Sequence, residues 1–340
     1  MTAWSDRIGL EHPLVQAGMG GGLATARLAS AVSRAGALGT VGIMPAPAFA
    51  GELRAALEAA GGRPVSANLL LPFLRRAHVT ACIDAGVRVV VLHGGFDGEV
   101  VTTLKAAGIE VLQQIGTPEQ ARRAQALGVD GVIVQGTEAG GHTYAETGVA
   151  DAFTAVRPSM PDAVSVLAAG GVSDAADVRR LLELGADGVV AGTRFLATTE
   201  SCAHPGYKQA LLDGSETVDT MLFGFGWPMR HRVLRNAATD RWCRRDELGP
   251  RPVQALSRAT AALGRALPLA LMAHYPKVQQ PWLPVLTPGP ALEGGGSDRI
   301  LACTPLYAGH GVGGIHDLLP AGDVVARLTD PDRPTPPGPT

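Results

Sequence analysis

The chain has 340 residues, with 29 basic and 31 acidic side chains and a formal net charge of −2 at pH 7. Because 46% of the residues are hydrophobic, most of the chain can bury enough apolar surface to fold, which excludes general disorder. The near-neutral charge excludes a global positive field for nucleic acid or anionic lipid, and no apolar run is long enough to span a membrane.

The N-terminal residues 1–13 lack the basic start and the apolar stretch of a signal peptide. The four cysteines, Cys82, Cys202, Cys243 and Cys303, lie far apart and contain no CxxC pair. In a chain of this length these features indicate reduced thiols. We therefore expect a cytoplasmic protein with no membrane segment, no nucleic-acid partner and no metal.

Short apolar, β-branched runs alternate with Ala/Leu/Arg-rich stretches of helical spacing through the first 200 residues. The runs follow one another at intervals of about 23 residues, except for one interval of 34 between residues 130 and 164. They begin near Leu14, Leu38, Pro64, Val87, Ile109, Asp130, Val164 and Asp187. One of the predicted helices starts with a capping box and an N1 proline at residues 117–120.

Eight strand–helix units with parallel strands predict an α/β fold, a (β/α)8 TIM barrel. An open doubly wound sheet is the alternative, and such a sheet would usually carry one glycine-rich fingerprint after its first strand. Glycine clusters here follow the first, sixth, seventh and eighth predicted strands. We therefore favour the barrel.

The strand–helix rhythm changes after about residue 200. We expect residues 1–215 to form the barrel core, and residues 216–305 to form an inserted, mostly helical segment that covers the active-site face, with a helix at 253–266. Residues 306–328 are expected to return to the barrel. The Pro-rich residues 329–340 are expected to form a disordered tail.

Glycines mark three strand ends where the active site of a barrel would lie. In residues 15–24 (VQAGMGGGLA) they allow the backbone to approach a flat ligand, with a flexible turn as the alternative. Residues 167–174 (LAAGGVSD) and 187–195 (DGVVAGTRF) follow the seventh and eighth strands, the standard phosphate position of this fold. Together these two loops predict an anion site built from backbone amides.

The sixth strand end carries the candidate catalytic residue. Residues 132–148 (VIVQGTEAGGHTYAETG) lie in the one lengthened interval, and extra length on this face usually serves a ligand or substrate. His142 follows Gly140 and Gly141 and can act as a general base near neutral pH, with a structural role as the alternative. Glu138 is either a second acid or base or a structural hydrogen-bond partner.

Two amides, Asn68 and Gln114, lie near the ends of the third and fifth predicted strands. Amides at a barrel mouth can hydrogen-bond a neutral heterocycle without adding charge. Residues 309–314 (GHGVGG) match GxGxxG, but too few residues follow for a βαβ unit. The histidines other than His142 show no metal-ligand spacing, so surface or core positions are the default for them.

These motifs together resemble the nitronate monooxygenase family, which includes FMN-dependent enoyl-thioester reductases. The similarity lies in residues 17–42, 66–72, 130–142, 168–174 and 184–201, continues through 228–236 and 306–328, and so covers nearly the whole chain. The resemblance implies an FMN-binding barrel with His142 as the catalytic histidine. The positions it assigns to FMN are Ala17, Gly18, Met19, Asn68, Gln114, Gln135, Gly140, Gly141, Ala169, Gly170, Gly171, Gly192 and Thr193.

Some positions depart from the family pattern and leave the substrate open. Gln114 stands where some relatives carry Lys. The substrate-side candidates are Tyr144, which replaces a common Gly, His93 at an atypical fourth strand end, Tyr307 in the C-terminal segment, and His310, which stands where Gln is frequent.

The resemblance implies an FMN-dependent oxidoreductase that oxidises alkyl nitronates or nitroalkanes with O₂ to a carbonyl compound and nitrite through a flavin radical. One alternative is an NAD(P)H-dependent FMN reductase of enoyl thioesters or quinones. A second alternative is a non-catalytic flavin-binding accessory protein. The expected partners are a small-molecule substrate and O₂, and the oligomeric state is open, with a homodimer as one option.

Overall fold

The fold is described from a computed structural model, which describes residues 2–284, 286–295 and 297–330. Its strands are β1 (Leu14–Gln16), β2 (Gly39–Val41), β3 (Val65–Leu70), β4 (Val89–His93), β5 (Glu110–Ile115), β6 (Gly131–Gln135), β7 (Gly141–His142), β8 (Ser165–Ala169), β9 (Gly188–Ala191), β10 (Thr217–Thr220) and β11 (His231–Leu234). Its helices are α1 (Ala3–Ile8), α2 (Ala26–Arg34), α3 (Ala46–Ala59), α4 (Arg76–Ala85), α5 (Gly98–Ala106), α6 (Pro118–Ala126), α7 (Val149–Val156), α8 (Ala175–Glu183), α9 (Thr193–Leu196), α10 (Pro205–Asp213), α11 (Ala237–Trp242), α12 (Arg251–Ala266), α13 (Leu269–His274) and α14 (Ala321–Thr329).

Eight parallel strands form the barrel, in the order β1-β9-β8-β6-β5-β4-β3-β2. A parallel bridge between Val15 and Leu38 joins β1 to β2 and closes the ring. Each strand starts within two residues of its predicted position. The (β/α)8 prediction is therefore confirmed, and β8 and β9 are the seventh and eighth strands of the barrel.

Helix α1 closes the amino-terminal end of the barrel. Trp4 and Ile8 are buried in one cluster with side chains from inside the barrel, such as Leu112 and Leu167. The Trp4 indole Nε1 also donates a hydrogen bond to Glu110 Oε1 at 2.8 Å. Because this end is filled, the barrel can receive a ligand at the opposite end, where the strands finish.

The capping box expected at residues 117–120 forms only in part. Thr117 Oγ1 accepts a hydrogen bond from the Gln120 amide at 3.3 Å, and Pro118 is the first residue of α6. The Gln120 side chain, however, accepts from the Gly116 amide at 2.8 Å and not from Thr117. The long glutamine side chain thus reaches one residue further back than a reciprocal capping box requires.

The inserted segment contains strands as well as the expected helices. Strands β10 and β11 pair antiparallel with each other, and β11 pairs with β7 in the loop after β6. Helix α12 matches the helix expected at 253–266. The sequence did not indicate these strands, because β10 and β11 are short and the partner of β11 lies far away in the chain.

The C-terminal segment completes the barrel. Helix α14 packs against α2 and α8 and occupies the place of the eighth barrel helix. The tail expected at 329–340 begins one residue early, because Thr329 is still the last residue of α14. Residues 331–340 lie outside the described residues. The described helices include none long and apolar enough to cross a membrane.

Candidate active site

A cavity of about 270 Å³ lies at the carboxyl ends of the barrel strands. All thirteen residues that the family resemblance assigns to FMN line this cavity, together with His142, His93 and Tyr307. Tyr144 and His310 are not part of the lining. The inserted segment adds Trp227, Leu269, Pro276 and the proline-rich stretch at 288–290 to the lining, and most of the rest comes from the barrel strands and the loops that follow them.

Two amide side chains in the cavity have an oxygen without a hydrogen-bond partner among the described residues. Asn68 donates through Nδ2 to the Val91 carbonyl at 3.2 Å, and Gln135 donates through Nε2 to the His142 carbonyl at 3.1 Å. Asn68 Oδ1 and Gln135 Oε1 are buried and accept no hydrogen bond. Since a buried polar atom without a partner costs about 1–3 kcal/mol, these two acceptors indicate a ligand that carries N–H or O–H donors.

The loops after β8 and β9 expose backbone amides. Gly170 and Gly171 have φ angles of +136° and +68°, which a residue with a side chain rarely adopts. Within the described part of the chain, the amides of Gly170, Gly171 and Gly192 donate no hydrogen bond. Free amides at two neighbouring strand ends are suited to hold an anion such as a phosphate.

His142 lies at the end of β7, opposite His231 of β11. The Trp227 indole stacks on the imidazole at a centroid distance of 3.8 Å and an interplanar angle of 12°. His142 Nε2 is buried and has no hydrogen-bond partner among the described residues. Burial lowers the pKa of His142 well below 6.5, and the neighbouring His231 and His93 lower it further. The imidazole is therefore neutral at pH 7 and can accept a proton.

His93 and Tyr144 form a second layer beside Trp227. The His93 ring meets the rings of Tyr144 and Trp227 edge-on, each at 5.4 Å between centroids. Burial lowers the pKa of His93 to about 4, against an opposing effect of the His142 backbone, and raises the pKa of Tyr144 to about 12. Both side chains are neutral at pH 7, and Tyr144 lies behind His93 instead of on the cavity wall.

The C-terminal segment covers the loop that carries His142. The His310 amide donates to the Glu138 carbonyl at 2.9 Å, and the Gly309 amide donates to Thr193 Oγ1 at 3.0 Å. The His310 side chain itself is exposed. The Glu138 carboxylate accepts a hydrogen bond from the Val149 amide at 2.9 Å, at the start of α7. Of the two roles considered for Glu138, this is the structural hydrogen-bond partner and not the acid or base.

The sequence did not indicate the apolar wall around His142. Trp227 lies in the connection between β10 and β11, and Phe73 in the 3₁₀ turn Leu71–Phe73 packs against it at 5.9 Å between ring centroids. Gly226 and Gly264 fix this connection against α12, since a Cβ on Gly264 would lie 2.3 Å from Gly226 Cα. The composition of the insertion, rich in Trp and Gly, was the only available signal.

Comparisons with known proteins agree with this geometry. The model of the nitronate monooxygenase family matches residues 2–79 and 72–330. A (3aS,4S,5R,7aS)-5-hydroxy-7a-methyl-1-oxo-octahydro-1H-indene-4-carboxyl-CoA dehydrogenase of Mycobacterium tuberculosis is 38% identical over 253 residues, which are 71% of this chain and 68% of the relative. A nitronate monooxygenase of Pseudomonas aeruginosa is 32% identical over 257 residues, 60% of this chain and 71% of the relative. The crystal structure of a nitroalkane oxidase from Streptomyces ansochromogenes has a TM-score of 0.76 and 28% identity, with 95% of this chain and 96% of the other covered.

Proposed function

The chain belongs to the nitronate monooxygenase family of flavin-dependent oxidoreductases, and we propose that it binds FMN and oxidises alkyl nitronates and nitroalkanes with O₂. The products are a carbonyl compound and nitrite, so that two nitronate anions and one O₂ give two carbonyl groups and two nitrite ions. The observation that carries this proposal is the neutral His142 in a cavity at the strand ends, with an Nε2 that has no hydrogen-bond partner in the described part of the chain. Its membership of this family of oxidoreductases sets aside a non-catalytic accessory role.

The cavity fits FMN in three respects. The free Oδ1 of Asn68 and Oε1 of Gln135 are acceptors for donors on the flavin ring and ribityl chain. The free amides of Gly170, Gly171 and Gly192 are donors for the phosphate. The third is the placement of Asn68 itself: Gly18 packs directly on it, since a Cβ on Gly18 would lie 2.1 Å from Asn68 Cβ.

The protein's part in the reaction is proton transfer and positioning. His142 Nε2 would take the proton from the carbon that bears the nitro group, which leaves the substrate as a nitronate. The stacked Trp227 fixes the plane of the imidazole, so that the in-plane lone pair of Nε2 stays available. When bound, FMN supplies the electron acceptor that passes electrons on to O₂. Hydrogen bonds from residues 309–310 to Glu138 and Thr193 hold the loop that carries His142 in place.

The test of the base assignment is His142→Ala. We expect the variant to lose about 10²–10⁴-fold in kcat/KM for a neutral nitroalkane but much less for the preformed nitronate, which needs no deprotonation. His310→Ala is the matched control, because that side chain is exposed and lies outside the cavity lining. Equal losses on both substrates would exclude His142 as the base.

A second candidate is an NAD(P)H-dependent reductase of enoyl thioesters or quinones. It is favoured by the 38% identity to a dehydrogenase of a carboxyl-CoA thioester. The two functions differ in the reductant, so anaerobic addition of NADH or NADPH to the purified protein separates them. Rapid bleaching of the flavin absorbance would support the reductase, whereas bleaching by a nitronate alone supports the oxidase. The same absorbance spectrum tests for FMN.

The cytoplasmic location and a homodimeric state remain predictions. Light scattering coupled to gel filtration measures the second directly. A molar mass near 35.0 kDa, that of one chain, would contradict the homodimer.

A further inference from the structure

None of the residues that line the cavity, all of them within the described part of the chain, is Arg, Lys, Asp or Glu. Its titratable side chains are two histidines and one tyrosine. Burial lowers the pKa of His93 to about 4 and the pKa of His142 well below 6.5, and it raises the pKa of Tyr307. All three are therefore neutral at pH 7, and the cavity presents no fixed charge to a substrate.

Two arginines adjacent to the site, Arg232 and Arg194, are bound to other groups. Arg232, on the strand that pairs with β7, donates through Nε to the Thr137 carbonyl at 2.9 Å, and its Nη2 lies 3.9 Å from Asp219. Arg194, next to the lining residue Thr193, forms an ion pair with Asp317 at 2.8 Å. With the free amides of the lining assigned to the FMN phosphate, a carboxylate carried by the substrate would therefore find no side chain of opposite charge among the lining residues.

The wall next to His142 is apolar and largely aromatic. Trp227 stacks on the imidazole, and Phe73 packs against Trp227. Leu269 at the start of α13 and Pro276 add aliphatic surface to the lining. Burial of alkyl or aryl groups against such a surface is favourable, whereas burial of an unpaired charge there is costly.

We propose that this cavity favours an uncharged substrate with an alkyl or aryl substituent, a nitroalkane over its preformed nitronate, and that a carboxylate, phosphate or ammonium group on that substituent is selected against. This inference rests on the proposed function and names its substrate class. A neutral nitroalkane meets the requirement. When its α-carbon proton moves to His142 Nε2, the nitronate anion and the imidazolium form together inside the cavity. The charge pair is thus created in place, and no isolated anion has to be brought out of water.

The first test compares 1-nitrobutane with 3-nitropropanoate on the unmodified holoenzyme below the pH at which the nitroalkanes ionise. We expect kcat/KM for 1-nitrobutane to be at least about 30-fold higher, which corresponds to about 2 kcal/mol for an unpaired carboxylate. A kcat/KM for 3-nitropropanoate that equals or exceeds that for 1-nitrobutane would overturn the inference. If the enzyme oxidises neither these compounds nor any nitronate, the proposed function fails, and the substrate class is judged by binding alone.

The binding test uses nitrobenzene and benzoate, which have the same shape but differ in charge and cannot be deprotonated at the reacting carbon. Titration calorimetry on the holoprotein at pH 7 should show nitrobenzene binding at least about 30-fold more tightly than benzoate. Benzoate that binds as well as nitrobenzene, or nitrobenzene that does not bind, would overturn the proposal independently of turnover.

A matched pair of variants locates the selectivity. Leu269→Arg introduces a cation at the lining, and its half-buried position allows the long side chain to reach water. We expect this variant to reduce the preference for 1-nitrobutane over 3-nitropropanoate at least tenfold. Leu271→Arg is the control, since Leu271 on the same helix is 57% exposed and outside the lining, and it should leave the preference unchanged. Equal effects of both variants would show that the lining does not set the selectivity.

Discussion

Gly309 lies where the C-terminal segment meets the loop that carries His142, and there is no space for a side chain. A Cβ at this position would lie 2.5 Å from the Glu138 carbonyl oxygen and 3.0 Å from the Gly140 nitrogen. Both neighbours are backbone atoms, so no rotamer change can remove the clash. The φ of Gly309 is −87°, which any residue adopts, so that the effect of Gly309→Ala is purely steric.

The magnitude follows from what has to move. Overpacking of this kind costs about 1–3 kcal/mol. Moving the C-terminal segment away relieves the strain but breaks two hydrogen bonds, from His310 N to Glu138 O (2.9 Å) and from Gly309 N to Thr193 Oγ1 (3.0 Å). Each of them contributes about 1 kcal/mol. We expect Gly309→Ala to lower the free energy of unfolding by about 2 kcal/mol and to weaken FMN binding, because Thr193 and Gly140 both line the cavity.

The assay is urea denaturation followed by circular dichroism, together with FMN titration by flavin fluorescence. Gly313→Ala is the matched control in the 3₁₀ turn His310–Gly314 that follows Gly309, because the nearest atoms to a Cβ at this position, in Ser215, lie at 3.7 and 3.8 Å, an ordinary contact distance. If Gly309→Ala unfolds at the same urea concentration as Gly313→Ala and keeps its FMN affinity, the close packing of the segment on the loop is refuted.

Three further predictions concern buried polar groups. Burial lowers the pKa values of His93 and His231 from 6.5 to about 4. Below pH 6.5 the unfolded chain therefore binds protons that the folded chain does not, and acid should lower the free energy of unfolding by about 3 kcal/mol per histidine at pH 4. A free energy of unfolding that stays constant in urea denaturation between pH 7 and pH 4.5 would contradict this. Asn68→Leu removes an acceptor without a partner among the described residues and one hydrogen bond to Val91, so the free energy of unfolding of the FMN-free protein should change by less than about 1 kcal/mol. The Kd for FMN, measured by fluorescence, should rise at least tenfold, and an unchanged Kd would exclude the contact. Trp4→Phe should cost about 1–3 kcal/mol in thermal or urea unfolding through loss of the hydrogen bond to Glu110, whereas Trp282→Phe, at a side chain 58% exposed, should cost nothing measurable.

Local sequence signals were sufficient for the barrel. A parallel strand buried on both faces needs a continuous apolar run, and a crossover helix needs an amphipathic one, so both elements are visible in the sequence itself. The eight predicted strand starts therefore agree with β1 to β6, β8 and β9 within two residues. The sequence also predicted the glycines and His142 at the strand ends, because strand ends of a barrel meet on one face. The role of these residues toward FMN stays a prediction.

Only the tertiary structure brought the apolar wall to His142. Trp227, Phe73 and Leu269 lie in three segments that have no common periodicity. The connection that carries Trp227 is held against α12, where Gly226 packs directly on Gly264. The same holds for β10 and β11, which pair with each other, and for the pairing of β11 with a two-residue strand about 90 residues earlier in the chain. It also holds for the position of Tyr144 behind His93. Local sequence patterns indicate which face of a segment is buried, because burial is periodic along a helix or strand. Contacts between inserted segments depend on side-chain packing across space, and this packing leaves no periodic pattern in the sequence. The sequence by itself determined the barrel and the face that carries the site, and the packing of the insertion decided which surface a substrate meets there.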